Sequence, residues 1–255
     1  MIMKTTTMQT AKPALREVYI VDGSRTPFLK ARKPGPFMGS DLAVYAGRDL
    51  LKRQAFDPSA LEQVIIGSAL ASPDEANIAR VIALRLGCGN AVPAWTVQRN
   101  CASGMQAIDS AYKDIARGQN NLILAGGTDA MSRAPLLLND KMVAWLSKWL
   151  SAKSLTKKIK LLTSLRPQFF VPVMALLRGL TDPTTGLSMG QTAEELAFQY
   201  GITRQEMDQF AVESHLRLSQ AQANGHFDEI TSIFDAEGKQ YSQDDGVRAD
   251  SSIEK

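Results

Sequence analysis

Short apolar runs alternate with helix-patterned stretches through the first half of the chain, and this alternation constrains the fold more than any other feature. "EVYIVDGSRTPF" opens with an expected strand over Val18–Val21, stopped by "DGS". "SDLAVYAGRDLLKRQ" reads as a helix capped by Ser40 or Asp41, with Leu42, Tyr45, Ala46 and Leu50 on one stripe. "LEQVIIGSAL" supplies a second strand over Gln63–Ile66. "DEANIARVIALRLGCG" reads as a helix with acids in its first turn and Gly87 as its stop. "AWTVQR" is a third strand. A helix then runs from Ala102 to about Arg117 and is ended by Gly118, and "NLILAGG" is a fourth strand. Strands joined by helices of this length need crossover connections, so the sheet is expected to be mostly parallel, in an α/β fold.

After "GGTDAMSRAP" the rhythm stops. Residues 136–180 carry eight basic side chains and one acid, a balance of +7 in a chain whose net charge is +3. The basicity is therefore local, which argues against a general nucleic-acid binder. "MVAWLSKWLSAKSLTKKIKLL" places Met142, Trp145, Leu146, Trp149 and Leu150 on one helical face, with Lys141 and Lys148 off it. Such a helix suits the surface of an anionic membrane. It suits equally the lid of an acyl tunnel, ordinary packing or a subunit contact. Two further helices follow, "TAEELAFQYG" and "TRQEMDQFAVESHLRLSQAQANG", the second opened by a capping box of Thr203 and Glu206.

With 255 residues, 44% of them apolar and 22% charged, the chain has room for one large or two unequal domains. Two cysteines cannot make a disulfide framework, which favours a reducing, cytoplasmic setting. Two cysteines and two histidines without paired ligand spacing give no ground for a metal site. The first residues lack the apolar core of a signal peptide, and no stretch approaches the roughly 20 apolar residues that span a bilayer.

One of the two cysteines, Cys101, stands where the third strand ends and its helix begins. There the first helical N–H groups lack internal partners and the helix dipole is positive, both of which favour a thiolate. Ala102, Ser103 and Gly104 are small and leave room for a substrate beside the sulfur. A nucleophile on a strand-to-helix turn follows the logic of the serine elbow of hydrolases; the other reading of such a position is a packed core cysteine. Cys88, between Gly87 and Gly89, is read as a core residue.

"NCASGMQAI" resembles the nucleophile motif of the thiolases, Cys-Ala-Ser-Gly followed by a helix. "AGGTDAMSRAP" is similar to their Gly-Gly-x-Glu-x-Met-Ser-x-x-Pro, with Asp129 in place of Glu. "SRTPF", "GLSMGQTAEELA", "TRQEMDQFAVESHLRLSQAQANGHFDEI" and "DDGVRADSSIEK" resemble four further stretches, in order, from Glu17 to Lys255. The resemblance implies a five-stranded mixed sheet layered with helices over residues 16–130, bearing the nucleophile. It also implies a mainly helical loop domain over 131–255 that covers coenzyme A, with 136–180 as a basic amphipathic insertion. The implied chemistry is a reversible Claisen exchange between a 3-oxoacyl-CoA and CoA, in fatty-acid β-oxidation or acetoacetyl-CoA metabolism. Cys101 is the implied nucleophile that becomes an acyl-thioester, and its backbone N–H forms half of an oxyanion hole. Met189, with Ser188 and Gly190, is placed by the resemblance beside the reacting acyl group; a loop methionine packing near Thr192 is the alternative for Met189. CoA is a substrate, and no resident cofactor or metal is implied. The implied partners are a second copy, in a homodimer or tetramer paired through the first half, and a β-oxidation complex or membrane periphery contacted by 136–180.

The chain departs from the thiolase pattern in its missing second-half motifs. Asn-Glu-Ala-Phe, Gly-His-Pro and Cys-x-Gly-Gly do not occur in it. In thiolases these supply the histidine that activates the nucleophile and a second, acid–base cysteine. His215 and His226 lie on or just after the long polar helix and are read as solvated surface residues. The isolated chain is therefore expected to be inactive. Ser188 stands where many short-chain biosynthetic thiolases have histidine, which leans toward longer acyl substrates. A non-catalytic thiolase-like subunit that binds acyl-CoA or a partner is the competing reading. A decarboxylating ketoacyl synthase shares the superfamily fold but does not account for the loop-domain stretches.

Overall fold

The computed structural model describes residues 15–31, 34–70 and 72–255. They form two compact units. The first comprises residues 15–25, 39–70 and 75–128; the second comprises residues 26–31, 34–38, 72–74 and 129–255.

The first unit is built on a parallel sheet of three strands, β1 (Gln63–Gly67), β2 (Ala94–Val97) and β3 (Ile123–Gly127), in the order β2–β1–β3. Its helices are α1 (Gly39–Lys52), α2 (Ile78–Arg85) and α3 (Ser103–Ala116). β1 is central because it can be buried on both faces. Val64 and Ile66 point into a cluster with Val44, Leu51, Ile78 and Ile82, whereas Ile65 points to the opposite face, against Ala107 and Ala111 of α3. Val64 and Ile65 have no exposed surface, and each such burial contributes about 1.5–3 kcal/mol. The register sets Ile65 opposite Trp95 on one side and Ala125 on the other.

The structure corrects the expected first strand. Val18–Val21 is irregular, and Tyr19, Ile20 and Val21 are 73%, 87% and 77% exposed. β-branched residues make a strand only beside a partner, and none lies alongside this segment among the described residues. The segment is instead tied at its ends: Arg16 N–H donates to the Ala116 carbonyl at 2.9 Å, and Asp22 pairs with Arg53 at 3.1 Å. The described sheet has three parallel strands where five mixed ones are expected, and the loss of Val18–Val21 accounts for one of the two missing.

Two local expectations also shift. The buried stripe of α1 is Ser40, Val44, Gly47 and Leu51, while Leu42, Tyr45, Ala46 and Leu50 are half-buried. Gly47 sets this rotation, since a Cβ there would sit 2.9 Å from Leu86 Cδ1. The acids expected to open α2 lie in a separate 3₁₀ turn, Pro73–Glu75. Glu75 is buried and accepts a hydrogen bond from the Ser40 N–H at 3.4 Å, so its charge complements the N-terminus of α1 instead.

The second unit is mostly helical. The basic insertion holds α4 (Asp140–Ser151), α5 (Leu155–Leu162) and the short α6 (Ala175–Gly179). A small antiparallel ladder between β4 (Leu136–Leu137) and β5 (Val173–Met174) clips its base. Met142 is buried and Trp145, Leu146 and Trp149 are half-buried, as their shared face requires; Leu150, counted on that face by spacing, is 82% exposed. It sits in the last turn of α4, where the chain turns toward α5 and nothing covers it. α7 (Met189–Tyr200) and α8 (Arg204–Ala223) each open with a reciprocal capping box, Ser188 with Gln191 and Thr203 with Glu206. Another antiparallel pair, β6 (Ile233–Phe234) and β7 (Gln240–Tyr241), buries Ile233 completely. No helix among the described residues is long and apolar enough to cross a membrane.

Candidate active site

The site begins with backbone, not side chains. Gly67 ends β1, Gly127 ends β3, and the first turn of α3 packs directly on both. A Cβ on Gly67 would lie 2.2 Å from the carbonyl of Ser103, and one on Gly127 would lie 2.9 Å from Gly104 Cα. Only hydrogen fits between these backbones. The start of α3 is thereby fixed at the carboxyl ends of the parallel strands, where α/β folds place their ligands.

The chain reaches that helix through a strained turn. Asn100 has φ +49°, the one positive value among the described non-glycine residues. Asparagine tolerates this region better than most side chains. Ser103 holds the turn shut from inside: its Oγ accepts from the Arg99 N–H at 2.8 Å, and its hydroxyl donates to the Asn100 carbonyl at 2.7 Å. The Ser103 N–H also donates to that carbonyl, at 3.1 Å. Ser103 is 3% exposed. Between Asn100 and Ser103 the turn presents Cys101 to the outside, two residues before the first helical position, with its thiol exposed.

The other thiol is its opposite. Cys88 is 1% exposed, in the core of the first unit beyond the end of α2, and burial pushes its pKa up. Gly87 and Gly89, at φ +84° and +77°, make the turn that folds it inward. One cysteine is built to be hidden and the other to be reached.

Both histidines belong to the second unit. His215, on α8, is half-buried rather than solvated, because its Nδ1 accepts from the Arg248 N–H at 3.3 Å. His226 is exposed beyond the end of that helix. Ser188, Met189 and Gly190 also lie in the second unit. The Ser188 hydroxyl is engaged with Gln191 Oε1 at 3.0 Å, Met189 is the first residue of α7 and 46% exposed, and Gly190 has open space around it.

Residues 18–255 match the thiolase N-terminal domain. The chain belongs to the thiolase family. A 3-ketoacyl-CoA thiolase of Photobacterium profundum is 34% identical over 242 residues, covering 93% of this chain and 54% of that protein. A probable acetyl-CoA acyltransferase of Staphylococcus aureus is 37% identical over 220 residues, covering 84% of this chain and 51% of that protein. Among solved structures, an acetyl-CoA acetyltransferase of Bacillus anthracis superposes with a TM-score of 0.79 at 33% identity, covering 95% of this chain and 58% of that one. Human mitochondrial 3-ketoacyl-CoA thiolase, solved in complex with CoA, superposes with a TM-score of 0.74 at 30% identity, covering 91% and 54%. The chain thus spans about half the length of the relatives it matches.

Sequence reasoning located the thiol of this thiolase-family chain but missed what holds it. The positive φ of Asn100 and the bridging role of Ser103 had a weak signal, an asparagine at the turn and a serine three residues on. The need for glycine at Gly67 and Gly127 comes from neighbours far away in the chain and has no local signal.

Proposed function

We propose that this chain carries the nucleophile of a thiolase that exchanges acyl groups between a 3-oxoacyl-CoA and CoA. The Cys101 thiolate attacks the 3-keto carbon. The bond between that carbon and its neighbour toward the thioester breaks, acetyl-CoA departs as an enolate and takes up a proton, and the shortened acyl group stays on sulfur. The thiol of a second CoA then attacks the acyl-cysteine, leaves with the acyl group and restores the thiolate. The Cys101 N–H meets no acceptor among the described residues and is free to donate to the oxyanion of each tetrahedral intermediate. The observation that carries the reading is the exposed thiol on a braced turn at the start of α3, in a chain of this family. The human relative solved with CoA supports CoA as the common substrate.

Both proton transfers need groups that the first unit does not contain. Residues 1–128 hold no histidine, and Cys88 is buried. Positioned acid–base groups contribute about 10²–10⁴-fold, so the isolated chain is expected to stop at or near the acyl-cysteine. The exposed apolar stripe of Met105, Ile108 and Tyr112 on α3 supports pairing with a second protein surface, for which another copy of the chain is the proposed partner.

Thiolysis of acetoacetyl-CoA and of a longer 3-oxoacyl-CoA tests this, with the chain alone and with the C-terminal half of a relative added. Turnover that appears only in the mixture, and is lost in Cys101→Ala, is the expected result. Turnover that survives Cys101→Ala would overturn the assignment. CoA binding with no acyl transfer in any mixture would favour the non-catalytic binding subunit.

A further inference from the structure

The insertion contains a feature that acyl transfer at Cys101 does not use. An open groove of about 830 Å³ runs between α4 and α5. Clefts of roughly 300–1,000 Å³ are the size at which proteins hold small molecules. Four lysines line the groove, Lys141 and Lys148 from α4 and Lys157 and Lys160 from α5, and no carboxylate does. Lys148, Lys157 and Lys160 form no ion pair among the described residues, and Lys141 donates to the neutral Gln168 Oε1 at 3.0 Å. Ammonium groups on one groove with no acid between them repel one another, and a bound anion relieves that repulsion.

The spacing of the charges favours a chain of phosphates over a single small anion. Lys141 and Lys148 stand two turns apart on α4, about 10.5 Å along its axis, and Lys157 and Lys160 are neighbours one turn apart on α5. One carboxylate or one orthophosphate reaches only part of that array. Linked phosphates reach across it, and lysine serves phosphate as a point-charge partner. Two aromatic side chains share the lining, Trp145 from α4 and Phe169 from the 3₁₀ turn Pro167–Phe170. The Trp145 indole N–H donates to the Leu161 carbonyl at 3.0 Å, and Trp149 stacks on its ring at 5.3 Å between centres. The Trp145 ring is thus held in place before a ligand arrives, as a surface on which a planar base stacks.

We propose that the α4–α5 groove binds a free nucleoside polyphosphate, with its phosphates on Lys148, Lys157 and Lys160 and its base on Trp145. The nucleotide end of CoA offers related chemistry, and the experiment below separates the two sources. The inference does not rest on the role of Cys101.

Isothermal titration of the whole chain with ATP, inorganic triphosphate and adenosine, in magnesium-free buffer, tests it. ATP is expected to bind with one site per chain, inorganic triphosphate more weakly, and adenosine not at all. Lys148→Gln, Lys157→Gln and Lys160→Gln together are expected to weaken ATP binding by more than about tenfold. Lys153→Gln removes a charge of the same segment outside the groove lining and is expected to change it by less than about twofold. Trp145→Leu is expected to weaken ATP at least about fivefold while leaving inorganic triphosphate unchanged, and Trp145→Phe, which keeps a ring, to restore most of the loss. Circular dichroism follows the helices, and Lys148→Gln alone, with a smaller loss expected, carries the test if the triple variant unfolds. CoA is expected to bind the parent and the triple variant alike. A loss for CoA equal to that for ATP would give the groove to the nucleotide end of CoA and overturn the assignment to a free nucleotide. Absence of ATP binding, equal losses for Lys153→Gln and the triple variant, inorganic triphosphate binding as tightly as ATP, or an oligoadenylate binding more tightly than ATP would each overturn the proposal.

Discussion

The Ser103 hydroxyl donates to the Asn100 carbonyl across 2.7 Å, bridging the turn that carries Cys101. The same oxygen accepts from the Arg99 N–H, so one buried side chain engages two backbone groups immediately before Cys101. Ser103→Ala leaves both without that partner. The expected loss is about 0.5–1.5 kcal/mol, the net worth of such hydrogen bonds, because the Asn100 carbonyl keeps the Ser103 N–H; it is read as a lower urea midpoint at unchanged slope. A midpoint equal to the parent's would show that the bridge does not hold the turn.

Asn100 has φ +49°, so its substitutions separate backbone from side chain. Asn100→Gly is expected to keep the parent's stability to within a few tenths of a kcal/mol, while Asn100→Ala costs about 1–2 kcal/mol for the left-handed backbone. Thermal denaturation of the two variants checks this. Equal effects would mean that the turn opens easily to an ordinary conformation.

Gly67 and Gly104 face the same junction with different tolerance. A Cβ on Gly67 meets Ser103 backbone at 2.2 Å, which no side-chain movement relieves, whereas one on Gly104 meets Gly127 Cα at 3.7 Å, an ordinary contact. Gly67→Ala is expected to cost about 1–3 kcal/mol or more by forcing α3 off the sheet, and also to slow alkylation of Cys101. Gly104→Ala is expected to change stability by less than about 1 kcal/mol, since alanine suits a helix. Reversed order in a denaturant titration would contradict the packing described.

The alternation of strands and helices was legible because each element carries its own period and stop signal. Gly118, at φ +74°, ends α3 as its position suggests. Thr203 and Glu206 close their capping box as their spacing requires. What was not legible depends on distant partners. Val18–Val21 has the composition of a strand, but composition does not supply a neighbour. The stripe of α1 was assigned to its largest residues, whereas Gly47 and Leu86 turn the small ones inward. The start of α7 was placed too late, because the Ser188–Gln191 box is formed by serine and glutamine around a methionine and a glycine that read as loop. At the site, the thiol was found from local sequence, and the glycines that let it be placed were not.

The two thiols are expected to differ sharply in access. Cys101 is exposed; Cys88 is buried, with its ionisation pushed to higher pH by desolvation. With limiting iodoacetamide at neutral pH, the native chain should carry label on Cys101 alone, and Cys88 should be labelled only after denaturant is added. Label on Cys88 of the native chain would place the buried thiol in a mobile part of the core.

The proposed function rests on acylation of Cys101 by a CoA thioester. Mass spectrometry of the chain after incubation with acetyl-CoA, followed by peptide mapping, tests it most directly. A single acetyl adduct is expected on the peptide that contains Cys101, absent in Cys101→Ala and removed when free CoA is added. No adduct on that peptide, or an adduct that persists in Cys101→Ala, would contradict it.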